Sequence, residues 1–419
     1  MLIEFSVANF GSFQERQTFS MVAAPRLGRK ENTFAPKLDE KRFPALLKVA
    51  AIYGANASGK STWVRALHTL RFIVQLEPKA SPEPIPVDPF RFDPKCIGSP
   101  SSFELHFISE GQRYEFKLAA TKDRIEEESL LVFPRGKETL LYRRLGEAGH
   151  ERYEFGSALE GGGTLHDSWR KLTPRTATFL SRAVANSSQE LQQLRIPFAW
   201  LTGSLFAVVG SSLGSFARLN QASVLRESPS VVSNLVEFIR DLDIPVTDLK
   251  FHEPPPGIFT ESPKPTEEFS ARPPKLKTML THKTALGEAS FDFDEESTGT
   301  QNLMGFFMPW LLLGQQDVTP LRVMVFDELD SSLHPKIVAE LVRRHLEEEG
   351  RGQLIFTTHN THLMNARLLR RDQIWLTERD MSGATHMRSV HDFEGREGED
   401  IEKRYYEGRY RGLPIIRAK

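Results

Sequence analysis

The stretch GANASGKST, Gly54–Thr62, decides the fold that we predict for this chain. Gly54, Gly59, Lys60 and Ser61 fit the pattern G-x-x-x-x-G-K-[S/T], in which glycines let backbone N–H groups turn inward around phosphates. In this pattern the lysine reaches the β- and γ-phosphates, and the serine hydroxyl holds Mg²⁺. The stretch therefore predicts a site for a nucleoside triphosphate, and we expect ATP and Mg²⁺ as cofactors.

The residues on either side of this loop support the prediction. LLKVAAIY (Leu46–Tyr53) is a nearly unbroken apolar run, which is typical of a strand buried on both faces. STWVRALHTLRFI then places apolar residues at helical spacing, so the positive end of a helix dipole should point at the phosphates. The loop residues that we expect to contact the nucleotide are Gly54, Asn56, Ser58, Gly59, Lys60, Ser61 and Thr62.

Composition sets the outer limits on function. The chain has 419 residues, of which 39% are hydrophobic and 26% are charged, so it is long enough for two or three domain-sized units. A formal net charge of −1 provides no overall field toward nucleic acid or an acidic membrane. One cysteine, Cys96, excludes an intramolecular disulfide framework. No apolar run is long enough to span a membrane, so we expect a cytoplasmic protein with no membrane partner.

Two later strands end in residues that suit phosphate chemistry. The apolar residues Val323–Phe326 precede Asp327, which would hold Mg²⁺ through water, and Glu328, which would orient or deprotonate the attacking water. A further strand, QLIFTTHN, ends in His359, a neutral imidazole able to contact a γ-phosphate. We therefore predict Glu328, His359 and Lys60 as catalytic residues, with Ser61 and Asp327 as metal ligands. Exposed turn acids and a structural histidine are the alternative interpretations.

EESTGTQ, Glu295–Gln301, offers small and hydroxyl-bearing residues just before a predicted helix. Such a segment can form a second anion-binding site, here built from Ser297, Gly299 and Thr300. An ordinary helix cap by Ser297 or Thr298 is the alternative.

Taken together, GANASGKST, ESTGTQ, VFDELDSSLHP and TTHN resemble the ABC-type ATPase heads of SMC-like and DNA-repair ATPases, in which two heads enclose two nucleotides. The sequence is more similar to the compact ABC-like ATPases of prokaryotic anti-phage and abortive-infection systems. In those proteins a short S-x-G-T signature replaces LSGGQ, as Ser297, Gly299 and Thr300 do here. EKRYYEGRYRGLP near the C-terminus and FELHFISEGQRYEFKL also resemble that family. The sequence departs from SMC-like heads at Gly11, where they often carry an arginine.

The resemblance implies an α/β fold, an ABC-type P-loop ATPase head with a mixed central sheet, an antiparallel β-rich lobe and a helical insertion. We place the first part of the head at 1–165, the helical insertion at 166–250, a Pro-rich linker at 251–275 and the rest of the head at 276–419. SFELHFIS, QRYEFKLAA and ETLLYRR are the predicted strands of the lobe, with EGQ as a hairpin turn. TQNLMGFFMPWLLLG should be a buried helix interrupted by Pro309.

The functional hypothesis follows from this resemblance. It implies a homodimer or higher even-numbered assembly whose ATP cycle regulates a separate effector, a nuclease or a toxin, in anti-phage defence. The stretch after His359 is shorter than the usual domain of about 100–150 residues, so we expect the effector to be another protein.

A non-catalytic scaffold that binds ATP but hydrolyses it slowly remains open as an alternative, and two other functions remain open beside it. One is a DNA-repair or DNA-structure ATPase that binds nucleic acid directly through a basic, aromatic tail. The other, a transporter subunit, fits less well because a long insertion separates Gly54 from Gly299. The tail residues in question are Arg404, Tyr405, Tyr406, Arg409, Tyr410, Arg411, Arg417 and Lys419.

Overall fold

The computed structural model describes residues 1–38, 40, 43–77, 83–147, 150–209, 228–252, 277–314, 322–349, 352–364 and 367–413. The chain divides into two compact units. The first contains Met1–Gly210, Leu313–Asp330 and Val338–Lys419, and the second contains Ser211–Leu312 and Ser331–Ile337.

A six-stranded mixed sheet forms the centre of the first unit. Its strands are β5 (Val49–Gly54), β11 (Leu205–Val208), β15 (Val323–Phe326), β16 (Gln353–Thr357), β17 (Ile374–Arg379) and β18 (Thr385–Ser389). The spatial order is β11-β15-β16-β5-β17-β18, and all neighbours are parallel except β17 and β18. Every residue of β5, β15 and β16 is buried, which explains their continuous apolar sequences.

An antiparallel sheet of seven strands forms the β-rich lobe of the same unit. Its strands are β1 (Leu2–Ala8), β2 (Gln17–Ser20), β6 (Ser101–Ser109), β7 (Gln112–Ala120), β8 (Ile125–Val132), β9 (Thr139–Glu147) and β10 (His150–Phe155), in the order β10-β9-β8-β7-β6-β1-β2. The hairpin predicted at EGQ is confirmed, because Glu110 and Gly111 turn the chain with φ of 48° and 74°. A small pair, β3 (Thr33–Phe34) and β4 (Leu46–Leu47), forms a separate two-stranded sheet.

One hydrophobic cluster joins the two sheets of this unit through helix α1 (Lys60–Gln75). Trp63 of this helix is completely buried, and its ring centroid lies 5.7 Å from that of Phe5 and 4.6 Å from that of Phe19. The helix that follows the phosphate loop is therefore packed directly against the β-rich lobe. Its starting point is fixed by this packing as well as by its own sequence.

The region predicted as helical is helical only in part. The helices in the described part of this region are α3 (Gly162–Lys171), α4 (Phe179–Ala185), α5 (Arg195–Ala199) with a π-helical turn at Trp200–Ser204, and α6 (Pro229–Arg240). Within it, β11 is a correction to the helical pattern, because these residues pair in parallel with β15. Helix α2 (Pro94–Ile97) precedes β6, and α9 (Ile401–Tyr406) follows β18.

The second unit contains α6, helix α7 (Thr298–Leu313) up to Leu312, and a sheet in the order β12-β13-β14. These strands are β12 (Val246–His252), β13 (Lys277–Thr284) and β14 (Gly287–Asp292). The predicted interruption at Pro309 is wrong, since α7 continues through it. Aromatic packing of Phe238 against Phe307 and Trp310, with centroids 5.5 and 6.2 Å apart, stabilises the helix despite the missing N–H donor.

The predicted α/β architecture, with a mixed central sheet and an antiparallel lobe, is confirmed by these sheets. Helix α8 (Pro335–Glu347) connects β15 to β16. Most of the Pro-rich linker predicted at 251–275 lies outside the described residues. No helix within the described parts of the chain is both long enough and apolar enough to cross a membrane.

Candidate nucleotide-binding site

The loop between β5 and α1 has the backbone of a phosphate-binding nest. Gly54, Ala57 and Gly59 have φ values of 155°, 60° and 105°, so the chain alternates its curvature and turns N–H groups to one side. Helix α1 begins directly after it, at Lys60, and the first N–H groups of a helix have no partner within the helix. The loop can therefore offer several N–H donors and a helix dipole to one anion.

The neighbouring strands β17 and β18 hold this loop in place. Ser58 Oγ lies 2.6 Å from Thr377 Oγ1, and Thr385 Oγ1 donates to the Ser58 carbonyl at 2.9 Å. The side chain of Ser58 is thus engaged inside the fold, and Thr62 is buried against Gly11. For these two predicted residues, the backbone N–H is the group left to offer a phosphate. Asn56 is exposed at the loop tip.

Lys60 and Ser61 both form side-chain hydrogen bonds within the predicted site. The Lys60 ammonium donates to the carbonyls of Gly54 at 2.8 Å and Ala55 at 3.1 Å, and these two bonds hold the side chain against the loop. Burial lowers the pKa of Lys60, although the nearby carboxylates, Asp327 first among them, act in the opposite direction. Ser61 Oγ donates to Asp327 Oδ1 at 3.0 Å, so the two predicted metal ligands are adjacent.

Asp327 and Glu328 emerge where β15 ends, beside the loop. Asp327 is buried and its Oδ1 accepts both from Ser61 and, at 2.7 Å, from Thr357. Glu328 is exposed and has a left-handed backbone with φ of 55°, while its N–H donates to Thr357 Oγ1 at 2.7 Å. A non-glycine residue in this conformation is held by its surroundings. The predicted base is therefore in a fixed backbone position with its side chain open to solvent.

His359 lies two residues beyond the end of β16, as predicted. Its backbone N–H donates to Asp330 Oδ2 at 3.1 Å. Burial and the positive charge of Lys60 lower the pKa of the imidazole, and Asp330, Glu328 and Asp327 oppose this shift without reversing it. The lowered pKa favours the neutral imidazole, which is the form that the predicted contact with a γ-phosphate requires.

The side chains present fit a magnesium–nucleotide complex. Ser61 Oγ and Asp327 Oδ1 are hard oxygen donors of the kind that Mg²⁺ prefers, and the 3.0 Å hydrogen bond between them places them side by side. The buried ammonium of Lys60 supplies positive charge beside them. The loop N–H groups and the Lys60 ammonium are complementary to a triphosphate, and the oxygens of Ser61 and Asp327 are complementary to its metal ion.

The predicted signature lies in the second unit, at the start of α7. Ser297 Oγ accepts from Thr300 N–H at 3.2 Å and lies 2.9 Å from Thr300 Oγ1, so Ser297 caps the helix as the alternative interpretation expected. Capping leaves Ser297 itself exposed, whereas Thr300 is buried. A Cβ added to Gly299 would lie 2.7 Å from the Ser332 carbonyl, which requires glycine at this position.

Sequence reasoning missed three threonines that position the loop and the strand ends: Thr357, Thr377 and Thr385. Their only sequence signal is a hydroxyl within a buried strand, and its partners become visible only in the folded sheet. Gly11, the noted departure from SMC-like heads, has a left-handed φ of 58°, and a side chain there would collide with Thr62.

Solved structures that are similar to this chain include three SMC heads, each aligned over 93% of it. The SMC head bound to the C-winged helix domain of ScpA is 13% identical, covered over 97% of its length, with a TM-score of 0.45. The SMC head domain from Thermotoga maritima gives 14%, 98% and 0.42. The head with an extended coiled coil, bound to the C-terminal domain of ScpA from Pyrococcus furiosus, gives 14%, 96% and 0.39. No curated protein matches the sequence.

A family model matches residues 49–365, from the first residue of β5 to just beyond the turn after His359. The matched range contains the loop, the strand-end acids, the signature and the histidine, and it covers well over half of the chain. The chain therefore belongs to the family described as AAA domain, putative AbiEii toxin, Type IV TA system.

Proposed function

We propose that this protein binds Mg-ATP at the loop Gly54–Thr62 and hydrolyses it. The observation that carries the proposal is the meeting of Lys60, Ser61, Asp327 and His359 at the carboxyl ends of neighbouring parallel strands. Ligands bind at this edge of open α/β sheets because loops and helix N-termini converge there. Glu328 belongs to the same strand end, with its side chain accessible to a water molecule.

Each side chain has a distinct role in this proposal. Ser61 would hold the metal ion directly and Asp327 would hold it through water, and the bound ion would neutralise charge on the phosphates. Lys60 leaves the two loop carbonyls and pairs with the β- and γ-phosphates. Glu328 orients or deprotonates the attacking water. Neutral His359 contacts the γ-phosphate and responds to its loss.

We further propose that nucleotide joins two copies of the chain. Ser297 and Gly299 start a helix and are accessible to solvent, as a group that completes the site of an opposite subunit must be. The N-terminus of α7 also directs its positive dipole end outward from the same residues. The resulting assembly is a homodimer or a higher even-numbered one.

The biological role that we propose is control of a separate effector, a nuclease or a toxin, in an anti-phage defence system in the cytoplasm. Support comes from the family description, which names a putative toxin and a toxin–antitoxin system. It also comes from the resemblance of the signature and C-terminal motifs to abortive-infection ATPases. Two acids near the end of the described chain have structural partners, as expected if the nuclease is a separate protein. Glu399 pairs with Arg371 and Arg404, and Asp400 caps α9.

Direct nucleic-acid binding is less well supported by the tail. Its arginines that fall within the described residues already have acidic partners: Arg404 pairs with Glu399 at 2.7 Å, Arg409 with Glu407 at 3.1 Å and Arg411 with Glu378 at 3.4 Å. Binding phosphates would require these pairs to be exchanged. Arg417 and Lys419 lie outside the described residues.

The test is steady-state ATP hydrolysis by wild type, Lys60→Ala and Glu328→Gln, with the mass of each measured with and without ATP. We expect turnover in wild type alone, with a loss of about 100-fold or more in Glu328→Gln from removal of the base. Glu328→Gln should also accumulate as an ATP-bound dimer. Equal turnover in wild type and Glu328→Gln would refute the base assignment, and an unchanged mass would refute the dimer.

A further inference from the structure

Thr357, the last residue of β16, connects the two strand ends that carry the proposed chemistry. It is completely buried and lies two positions before His359. Its parallel neighbour β15 ends directly before Asp327 and Glu328. Thr357 is therefore close to Asp327 and Glu328 across the sheet and to His359 along the chain.

The Thr357 hydroxyl uses both of its hydrogen-bonding capacities on these groups. It donates to Asp327 Oδ1 at 2.7 Å and accepts from the Glu328 N–H at 2.7 Å. The Thr357 carbonyl also accepts from Leu329 N–H at 3.1 Å. One residue thus contacts three consecutive residues of the chain after β15. Because a hydroxyl has a single proton and this one is donated to Asp327, the oxygen can act only as an acceptor toward the Glu328 N–H.

Glu328 depends on this contact for the direction of its side chain. With φ of 55° it occupies the left-handed region, which a residue with a Cβ adopts only when its neighbours impose it. The bond from its N–H to Thr357 is a constraint that imposes it. Without that bond the peptide can relax, and the carboxylate then points elsewhere.

Asp327 depends on Thr357 in a second way. Its Oδ1 accepts from Ser61 as well as from Thr357. If Ser61 turns toward a metal ion, Thr357 still holds this carboxylate in the same orientation. The Thr357 hydroxyl is buried and cannot exchange its partners for water.

We propose that Thr357 is a positioning residue for the metal ligand Asp327 and the base Glu328, acting through its hydroxyl. This inference rests on the proposed function for its catalytic part. A simple role in packing is the competing explanation. Valine separates the two, because it keeps the shape of threonine and removes the hydroxyl, whereas serine keeps the hydroxyl and removes a methyl group.

The experiment uses Thr357→Val, Thr357→Ser and the control Thr173→Val in the full chain. Thr173 is also a buried threonine, and its hydroxyl donates at 2.8 Å to the carbonyl of Trp169 just beyond the end of α3, which supplies none of the proposed site residues. Thermal unfolding establishes that each variant is folded. Two further measurements follow: kcat and KM for ATP, and the affinity for a fluorescent ATP analogue over a range of Mg²⁺ concentrations.

In Thr357→Val we expect kcat to fall about tenfold or more from misplacement of the base, with affinity for the analogue in EDTA unchanged within about twofold. The Mg²⁺ concentration that gives half of the maximal change in analogue affinity should rise about threefold or more, because Asp327 loses its orientation. Thr357→Ser should restore both quantities to within about threefold of wild type.

The inference is overturned if Thr357→Val matches Thr173→Val in both kcat and Mg²⁺ requirement, or if Thr357→Ser is as impaired as Thr357→Val. Failure of the proposed function has a different signature, namely no turnover by wild type. In that case the Mg²⁺ titration alone decides whether Thr357 positions Asp327.

Discussion

Replacement of Gly59 by alanine tests whether the phosphate loop needs the backbone that the structure shows. Gly59 precedes α1 with φ of 105°, a region that residues with a Cβ rarely adopt. An added Cβ would lie 2.8 Å from Ser12 Oγ and 2.7 Å from Thr385 Cγ2, and it would collide with Thr385 Oγ1 as well. Thr385 cannot easily move away, because it is buried and bonded to Ser12 Oγ at 2.7 Å and Ser58 O at 2.9 Å.

The cost has two parts that add. A forced left-handed or strained backbone costs about 1–3 kcal/mol, and an overpacked contact costs about 1–3 kcal/mol. We therefore expect Gly59→Ala to lower the free energy of unfolding by about 2–6 kcal/mol. At roughly 2 °C per kcal/mol for a large domain, the melting temperature should fall by about 4 °C or more.

The assay is calorimetric unfolding without nucleotide, compared with Gly98→Ala. Gly98 is the matched control because it follows α2 with φ of −91° and an added Cβ meets no atom within 4 Å. Gly98→Ala should melt within about 1 °C of wild type. A melting temperature for Gly59→Ala equal to that of Gly98→Ala, with nucleotide affinity retained, would show that the loop does not require this conformation.

Three further predictions concern other parts of the chain. Glu128 is completely buried and accepts hydrogen bonds from Phe179 N–H, Leu180 N–H and the Tyr142 hydroxyl. Glu128→Ala should therefore lower the free energy of unfolding, measured with denaturant, by about 3–5 kcal/mol. Glu128→Gln keeps one acceptor oxygen and should lower it by less. The lowered pKa of His359 places its titration in the folded protein below the usual value of about 6.5. Its contribution to stability should therefore decrease as pH falls through about 6.5, the pKa of the unfolded chain, and become constant below the folded pKa. An NMR titration, assigned with His359→Gln, that places the midpoint above about 6.5 would contradict this. Gly299→Ala should reduce ATP-dependent dimer mass, because its Cβ would lie 2.7 Å from the Ser332 carbonyl and would displace the start of α7, where Ser297 also lies. An undiminished dimer in analytical ultracentrifugation would remove Gly299 from the proposed interface.

The nucleotide loop could be predicted from sequence because its determinants are local. Glycines that permit positive φ, an apolar strand before them and a helical pattern after them lie within one short stretch, and Gly54, Ala57 and Gly59 have the expected kind of backbone. The strand-end acids and His359 were also identified, because parallel buried strands have continuous apolar sequences that end at the active edge of the sheet. The roles of these residues in hydrolysis stay predictions.

Other features escaped sequence reasoning because their causes lie far away in the chain. The strand at Leu205–Val208 has no periodicity that distinguishes it from the preceding helices, and it forms because β15 presents an unpaired edge to it. Pro309 should interrupt α7 on local grounds, yet packing of Phe307 and Trp310 on Phe238 keeps the helix continuous. Here tertiary contacts outweigh local preference.

The sequence by itself determined the phosphate loop, the order of the strands along the chain and the residue types able to hold a magnesium–nucleotide complex, since each depends on neighbours within a few positions. The tertiary structure alone decided which strand ends are adjacent. Thr357 is the clearest case: in the sequence it is one threonine of TTHN, and in the sheet it holds Asp327 and Glu328, about thirty positions earlier. Hydrogen bonds between strand ends depend on the register of parallel pairing, and that register is fixed by the packing of the whole sheet.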